Sequence, residues 1–120
     1  MSNKVEYFQK RSEFFNSLNE NPGLIFVKLE KHDCAPCKII EPDVLHYFSN
    51  MPDTVRTITI NIEESFDVFA FYKTKKIVQG APTILCYHKD NTHYVPDDVF
   101  AGSNKEELKI FFNRCLEELN

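Results

Sequence analysis

Cys34 and Cys37 stand in the stretch Glu30-Lys31-His32-Asp33-Cys34-Ala35-Pro36-Cys37-Lys38, between an apolar run and a helical pattern. A Cys-x-x-Cys where a strand hands over to a helix suits thiol–disulfide chemistry, because the first helical turn holds both sulfurs within bonding distance. The helix start also activates them: its unpaired N–H groups and positive dipole end favour an anion, so the first thiol loses its proton more readily than a free one. Cys34, nearer the helix start, is expected to be the more exposed thiol and the nucleophile, with Cys37 the resolving partner. Pro36 fits the placement, since proline is tolerated in a helix's first turn. Two other readings of the residues stay open, a pair of ordinary cysteines and a metal site. Zinc takes four ligands, usually from two close-spaced pairs, and only His32 lies near this one pair, so no metal-ligand set is assigned.

The elements that must position the pair follow from hydrophobic pattern. A short strand is expected at Lys4 to Tyr7, then a helix carrying Phe14, Phe15 and Leu18 that ends at Asn21-Pro22-Gly23. Leu24 to Leu29 is mostly apolar and rich in β-formers, as in a strand buried on both faces, and it delivers the chain to Cys34. Ile40, Val44 and Phe48 give a helix from about Cys34 to Ser49, which Pro42 should kink. Arg56 to Ile62 alternates, with Ile58, Ile60 and Ile62 on one face. In the next helix Phe66, Phe69, Ala70 and Lys73 are expected to share a face, and the pattern runs out near Lys76.

Thr83 to His88 reads as a further strand, turned at Lys89 to Thr92 into an antiparallel partner within Tyr94 to Ala101 that Pro96 confines to a sheet edge. Ser103 and Glu106 have capping-box spacing before a last helix lined by Leu108, Phe111, Phe112, Cys115 and Leu119. The sum is an α/β domain over residues 1–120, a mixed sheet of four to five strands with helices on both faces. Cys86 and Cys115, and most of the 11 phenylalanines, are read as core. Lys73, Lys75 and Lys76 are read as a solvated helix end.

Composition limits the function. At 120 residues and 42% hydrophobic content the chain can bury a real core, and its net charge of −4 argues against a dominant nucleic-acid or acidic-membrane role. The stretch Met1 to Tyr7 lacks a signal-peptide apolar run, and no run is long enough to span a bilayer, so a cytoplasmic setting is expected. In a reducing cytosol cysteines are more naturally catalytic, metal-bound or buried than structural disulfides.

Three separated stretches resemble the thioredoxin family. Cys34-Ala35-Pro36-Cys37-Lys38 with Pro42 is similar to the family's active-site helix, with its Cys-Gly-Pro-Cys-Lys box and downstream proline. Val78-Gln79-Gly80-Ala81-Pro82-Thr83 resembles the segment whose proline is cis and packs against the active-site disulfide. Phe100-Ala101-Gly102 with Lys105-Glu106-Glu107-Leu108 resembles the end of the last strand and the start of the final helix. The chain also departs from the pattern. Asp33 and Glu30 stand where the family has tryptophans, Lys28 stands where it has a buried proton-transferring aspartate, and Val95-Pro96-Asp97-Asp98 lengthens the hairpin.

The resemblance implies the thioredoxin fold and a protein-disulfide oxidoreductase with a redox-active Cys34–Cys37 pair. It implies substrate contacts at Asp33, Ala35, Pro36, Ala81, Thr83 and Gly102, with Pro82 against the sulfurs. No cofactor is called for beyond the dithiol, but an electron donor such as a thioredoxin reductase is. Protein disulfides are the implied partners, and a monomer is expected. Lys28 and Glu30 fall on one strand face, toward Cys37 if the alignment holds. Either Lys28 reaches solvent and water carries the Cys37 proton, or Lys28 pairs with Glu30 and the carboxylate accepts it. A binding module with a vestigial redox pair and a metal-binding protein are the alternatives from other classes.

Overall fold

The computed structural model describes residues 4–120, so the Met1-Ser2-Asn3 part of the reading of the chain's start lies outside the described residues. The order is β1 (Val5–Glu6), α1 (Arg11–Leu18), β2 (Leu24–Glu30), α2 (Ala35–Ser49), β3 (Val55–Asn61), α3 (Phe66–Thr74), β4 (Thr83–His88), β5 (Asp98–Ala101) and α4 (Lys105–Leu116), with a short 3₁₀ turn at Glu117–Leu119. The sheet runs β1-β3-β2-β4-β5. β1, β3 and β2 are parallel, while β4 is antiparallel to β2, and β5 to β4. This is the expected mixed sheet, with β2 at its centre.

Strand β2 shows why the sheet needs a helix layer on each side. Its side chains alternate in direction. Ile25, Val27 and Leu29 enter a core with Phe14 and Leu18 of α1 and Val68 and Tyr72 of α3, whereas Leu24 and Phe26 enter a second core with Ile40 and Val44 of α2 and Leu108, Phe111 and Phe112 of α4. By the same alternation Lys28 and Glu30 continue the row beneath α2 and α4. Ile58, Ile60 and Ile62 lie together in the first core, as their spacing predicts.

Three local expectations are corrected. In α3 the docked residues are Val68 and Tyr72, and Phe66 is 62% exposed; the helix turns its 68/72 row to the sheet, where the Tyr72 hydroxyl finds a polar partner in Tyr87. The last helix is capped by Asn104, whose Oδ1 accepts the Glu107 N–H at 2.9 Å, so the cap lies one residue beyond Ser103. Leu119 falls in the 3₁₀ turn rather than on α4. Pro96 lies just before β5, which is the antiparallel edge strand expected within Tyr94 to Ala101. Pro42 does lie inside α2, which runs on through it, and its missing N–H leaves the Lys38 carbonyl without the usual intrahelical donor.

Candidate active site

Strand β2 ends at Glu30, and Lys31 to Asp33 carry the chain over the end of the central strand to α2. Asp33 is exposed and takes φ 52°, a left-handed turn conformation that aspartate tolerates better than most residues. Cys34 is then the N-cap of α2: its backbone is extended, and its sulfur accepts the Cys37 N–H at 3.2 Å. One of the orphan donors of the helix start is thereby aimed at Cys34 Sγ. Cys34 and Cys37 form a disulfide, with Cα atoms 5.2 Å apart.

Exposure does not separate the two sulfurs as expected. Cys34 is 3% and Cys37 5% accessible, so both are buried, and what distinguishes Cys34 is its position at the cap. Ala35 and Pro36 form the exposed crest between them.

The second segment arrives from α3. The Ala81–Pro82 peptide is cis, and Pro82 is buried. The Ala81 carbonyl oxygen lies 3.8 Å from Cys34 Sγ, so this turn packs on the disulfide. The Thr83 hydroxyl donates to the Gly80 carbonyl at 2.7 Å, closing the turn, and Thr83 is paired to Leu29 on one side and Ala101 on the other. Gly102 donates its N–H to the Pro82 carbonyl at 3.2 Å and takes φ 106°, a conformation that favours glycine. The structure therefore brings Cys34, Cys37, Ala81, Pro82, Thr83 and Gly102 to one end of the sheet.

Lys28 does not reach solvent. It is 0% exposed, and its Nζ lies 3.0 Å from Glu30 Oε1, while the Glu30 side chain is 20% exposed. The contact is ionic rather than a well-directed hydrogen bond, and Nζ has no hydrogen-bond acceptor among the described residues. Glu30 in turn lines a cavity of about 280 Å³ with Cys34, Cys37, Lys38 and Glu41. The carboxylate thus has the buried ammonium on one side and the cavity shared with both cysteines on the other.

Sequence reasoning missed three juxtapositions. Glu41 stands one turn beyond Cys37, so helical spacing could have placed it at the cavity. Glu64 approaches the exposed His32 ring at 3.9 Å, a pairing with no local signal. Cys86 and Cys115 are core residues, as read, but they also face each other. Cys86 lies opposite Asp98 across β4 and β5, the Cys115 thiol donates to Asp98 at 3.7 Å, and the contact with Cys86, followed by burial, raises the Cys115 pKa far above the usual thiol value. Both are free thiols.

The family model for thioredoxin matches residues 5–114. No curated protein matches the chain by sequence. Similar solved structures include a Trichomonas vaginalis thioredoxin at 19% identity, covering 94% of this chain and 98% of that one with a TM-score of 0.72. A Fasciola hepatica thioredoxin is 20% identical, over 92% of this chain and 99% of its own, with a TM-score of 0.70. The oxidised mitochondrial thioredoxin 3 of Saccharomyces cerevisiae is 24% identical, over 91% and 94%, with a TM-score of 0.68. At these identities the structural likeness carries the fold alone.

Proposed function

The chain belongs to the thioredoxin family, and on that premise we propose that it is a protein-disulfide reductase that works through Cys34 and Cys37. A thiol–disulfide redox function in general is supported by the family and by the Cys34–Cys37 disulfide. The observation that carries the finer reading is the N-cap position of Cys34, with the Cys37 N–H aimed at its sulfur. That donor and the helix dipole stabilise a thiolate at Cys34 better than at Cys37.

In the reduced protein the Cys34 thiolate attacks one sulfur of a substrate disulfide. A Cys34–substrate bond forms, the substrate disulfide breaks, and its other sulfur leaves as a thiolate that takes a proton. Cys37 then gives up its proton and attacks Cys34 Sγ, which breaks the mixed disulfide and releases the second substrate thiolate. Two electrons have passed from the protein dithiol to the substrate, and Cys34–Cys37 is left oxidised. An external donor such as a thioredoxin reductase must return them. We assign the Cys37 proton to Glu30: its lining of the same cavity and its partial exposure, through which the proton can leave, support the assignment.

Substrate would lie across Asp33, Ala35, Pro36, Ala81, Thr83 and Gly102. The Thr83 backbone already belongs to the sheet on both sides, so Ala81 is the better candidate to pair with an extended substrate segment. A reducing, cytoplasmic setting suits a dithiol that must be kept charged with electrons.

The test is reduction of insulin in the presence of dithiothreitol. The protein should speed precipitation of the insulin chains well beyond dithiothreitol alone, and Cys34→Ser should not. The charged residues Asp33, Glu30 and Lys28 around the pair favour a second reading, a thioredoxin-fold binding module, and no acceleration by the wild-type protein would support that instead.

A further inference from the structure

We propose that the buried Lys28–Glu30 pair sets the redox poise of the Cys34–Cys37 couple: the Lys28 ammonium favours the reduced, thiolate form, and Glu30 tempers it. This rests on the reading of Cys34 and Cys37 as a working redox couple. It makes Lys28 a positioning residue that acts through charge, and it gives Glu30 an electrostatic effect beyond its proposed proton transfer.

The placement carries the argument. Lys28 lies on the central strand, in the row that Leu24 and Phe26 begin beneath α2 and α4, and no part of it is exposed. An ammonium removed from water is expensive unless paired, and among the described residues its ionic partner, at 3.0 Å, is Glu30. Glu30 lines the cavity that Cys34 and Cys37 also line, so the carboxylate that pairs with Lys28 faces the couple directly and Lys28 stands behind it. Reduction turns a neutral disulfide into thiols, one of which becomes an anion, so any fixed charge nearby shifts the equilibrium between the two forms. A cation favours the dithiol side and an anion the disulfide side.

The other charged groups near the cavity are less able to do this. Lys31, His32, Asp33, Lys38 and Glu41 are exposed, where water and salt screen them. Asp43 of α2 faces Lys105 at the start of α4, 3.5 Å away. Across the sheet, Lys28 is flanked by Thr59 of β3 and Ile84 of β4, neither of which bears a charge. Lys28, with Glu30 partly covering it, is therefore the least screened charge at the couple among the described residues. Lys28→Met, apolar and similar in length, removes the cation and leaves the Glu30 carboxylate unopposed. Glu30→Gln does the reverse.

The test is equilibration of the full chain with mixtures of reduced and oxidised glutathione at pH 7, with the dithiol fraction read by thiol trapping and mass. Lys28→Met should shift the equilibrium constant roughly tenfold toward the disulfide, the size of a one-unit pKa shift produced by one nearby charge. For a two-electron couple that is a potential lower by about 30 mV. Glu30→Gln should shift it toward the dithiol. Lys28→Gln should repeat the Lys28→Met shift and serves in its place if that variant fails to fold. The proposal is overturned if the lysine variant that folds stays within twofold of wild type, or if the lysine and glutamate variants move the constant the same way. Because the titration uses no protein substrate, its outcome is independent of whether the chain reduces insulin.

Discussion

The hydroxyl of Tyr72 on α3 meets that of Tyr87 on β4 at 2.5 Å, and Tyr87 donates onward to the Tyr94 carbonyl at 2.6 Å. A phenol has one proton, so Tyr87, having spent its own on Tyr94, accepts from Tyr72. The chain of bonds ties the lengthened hairpin to the core between α1 and α3, and burial raises the pKa of both phenols. Tyr87→Phe strands the Tyr72 hydroxyl and the Tyr94 carbonyl. It should cost about 1–3 kcal/mol in urea unfolding, with insulin reduction unchanged because the site lies at the other end of β4.

The same pair governs the alkaline limit of the fold. Phenols whose folded pKa is raised contribute stability that is complete below the unfolded value of about 10 and is lost as pH climbs above it, because the unfolded chain ionises first. Unfolding free energy should therefore fall between about pH 10 and 12. A Tyr72→Phe, Tyr87→Phe double variant should show a shallower fall, and an equal slope would remove these phenols as the cause.

At the acid end Asp98 plays the corresponding part. Its carboxylate accepts two bonds from Arg114, at 2.6 and 2.9 Å, and this pairing holds its pKa below the usual carboxylate value. A lowered folded pKa gives stability that is complete above the unfolded value of about 3.9 and is lost as pH falls through the folded one. Asp98→Asn should cost roughly 1 kcal/mol at pH 7, since Arg114 is half exposed, and should narrow its gap to wild type as pH drops below 4. Urea midpoints at pH 7 and pH 3 measure both.

Cys86 and Cys115 should be silent thiols. Both are buried and the Cys115 thiol is held protonated, so alkylation of the reduced native protein at pH 8 should label Cys34 fastest and leave these two unlabelled until denaturant is added. Labelling of Cys115 at a rate near that of Cys34 would contradict its place in the core.

How much of this was legible before the fold depended on how local each cause is. The Cys34-to-Cys37 turn, Pro36 in the first helical turn and the apolar alternation of Ile58, Ile60 and Ile62 are fixed by neighbours in sequence, and they stand as read. The buried face of α3 was misread because six apolar or aromatic side chains compete there, and the sheet side is settled by where Tyr72 meets Tyr87. The meeting of Cys86 with Cys115 depends on β4–β5 register and on the rotation of α4, which no short window contains. The complete burial of Lys28 was open for the same reason. A lysine on a strand end can reach solvent or pair, and α2 and α4 closing over it decide the matter.

Glu30→Gln also separates two routes for the Cys37 proton. If the carboxylate is the acceptor, the variant should release a Cys34 mixed disulfide on the order of tenfold more slowly, with an altered dependence between pH 6 and 9, while the first attack by Cys34 changes little. Stopped-flow rates for the two steps provide the measurement, and a resolution step matching wild type across that range would assign the proton to water.

The central claim, that Cys34 attacks and Cys37 resolves, is tested most directly by trapping. Cys37→Ser and Cys34→Ser, each reduced and then mixed with a disulfide-bonded protein, are separated without reductant and weighed by mass spectrometry. Cys37→Ser should accumulate a covalent adduct through Cys34, and Cys34→Ser should form almost none. Equal trapping by the two variants, or trapping only through Cys37, would contradict it.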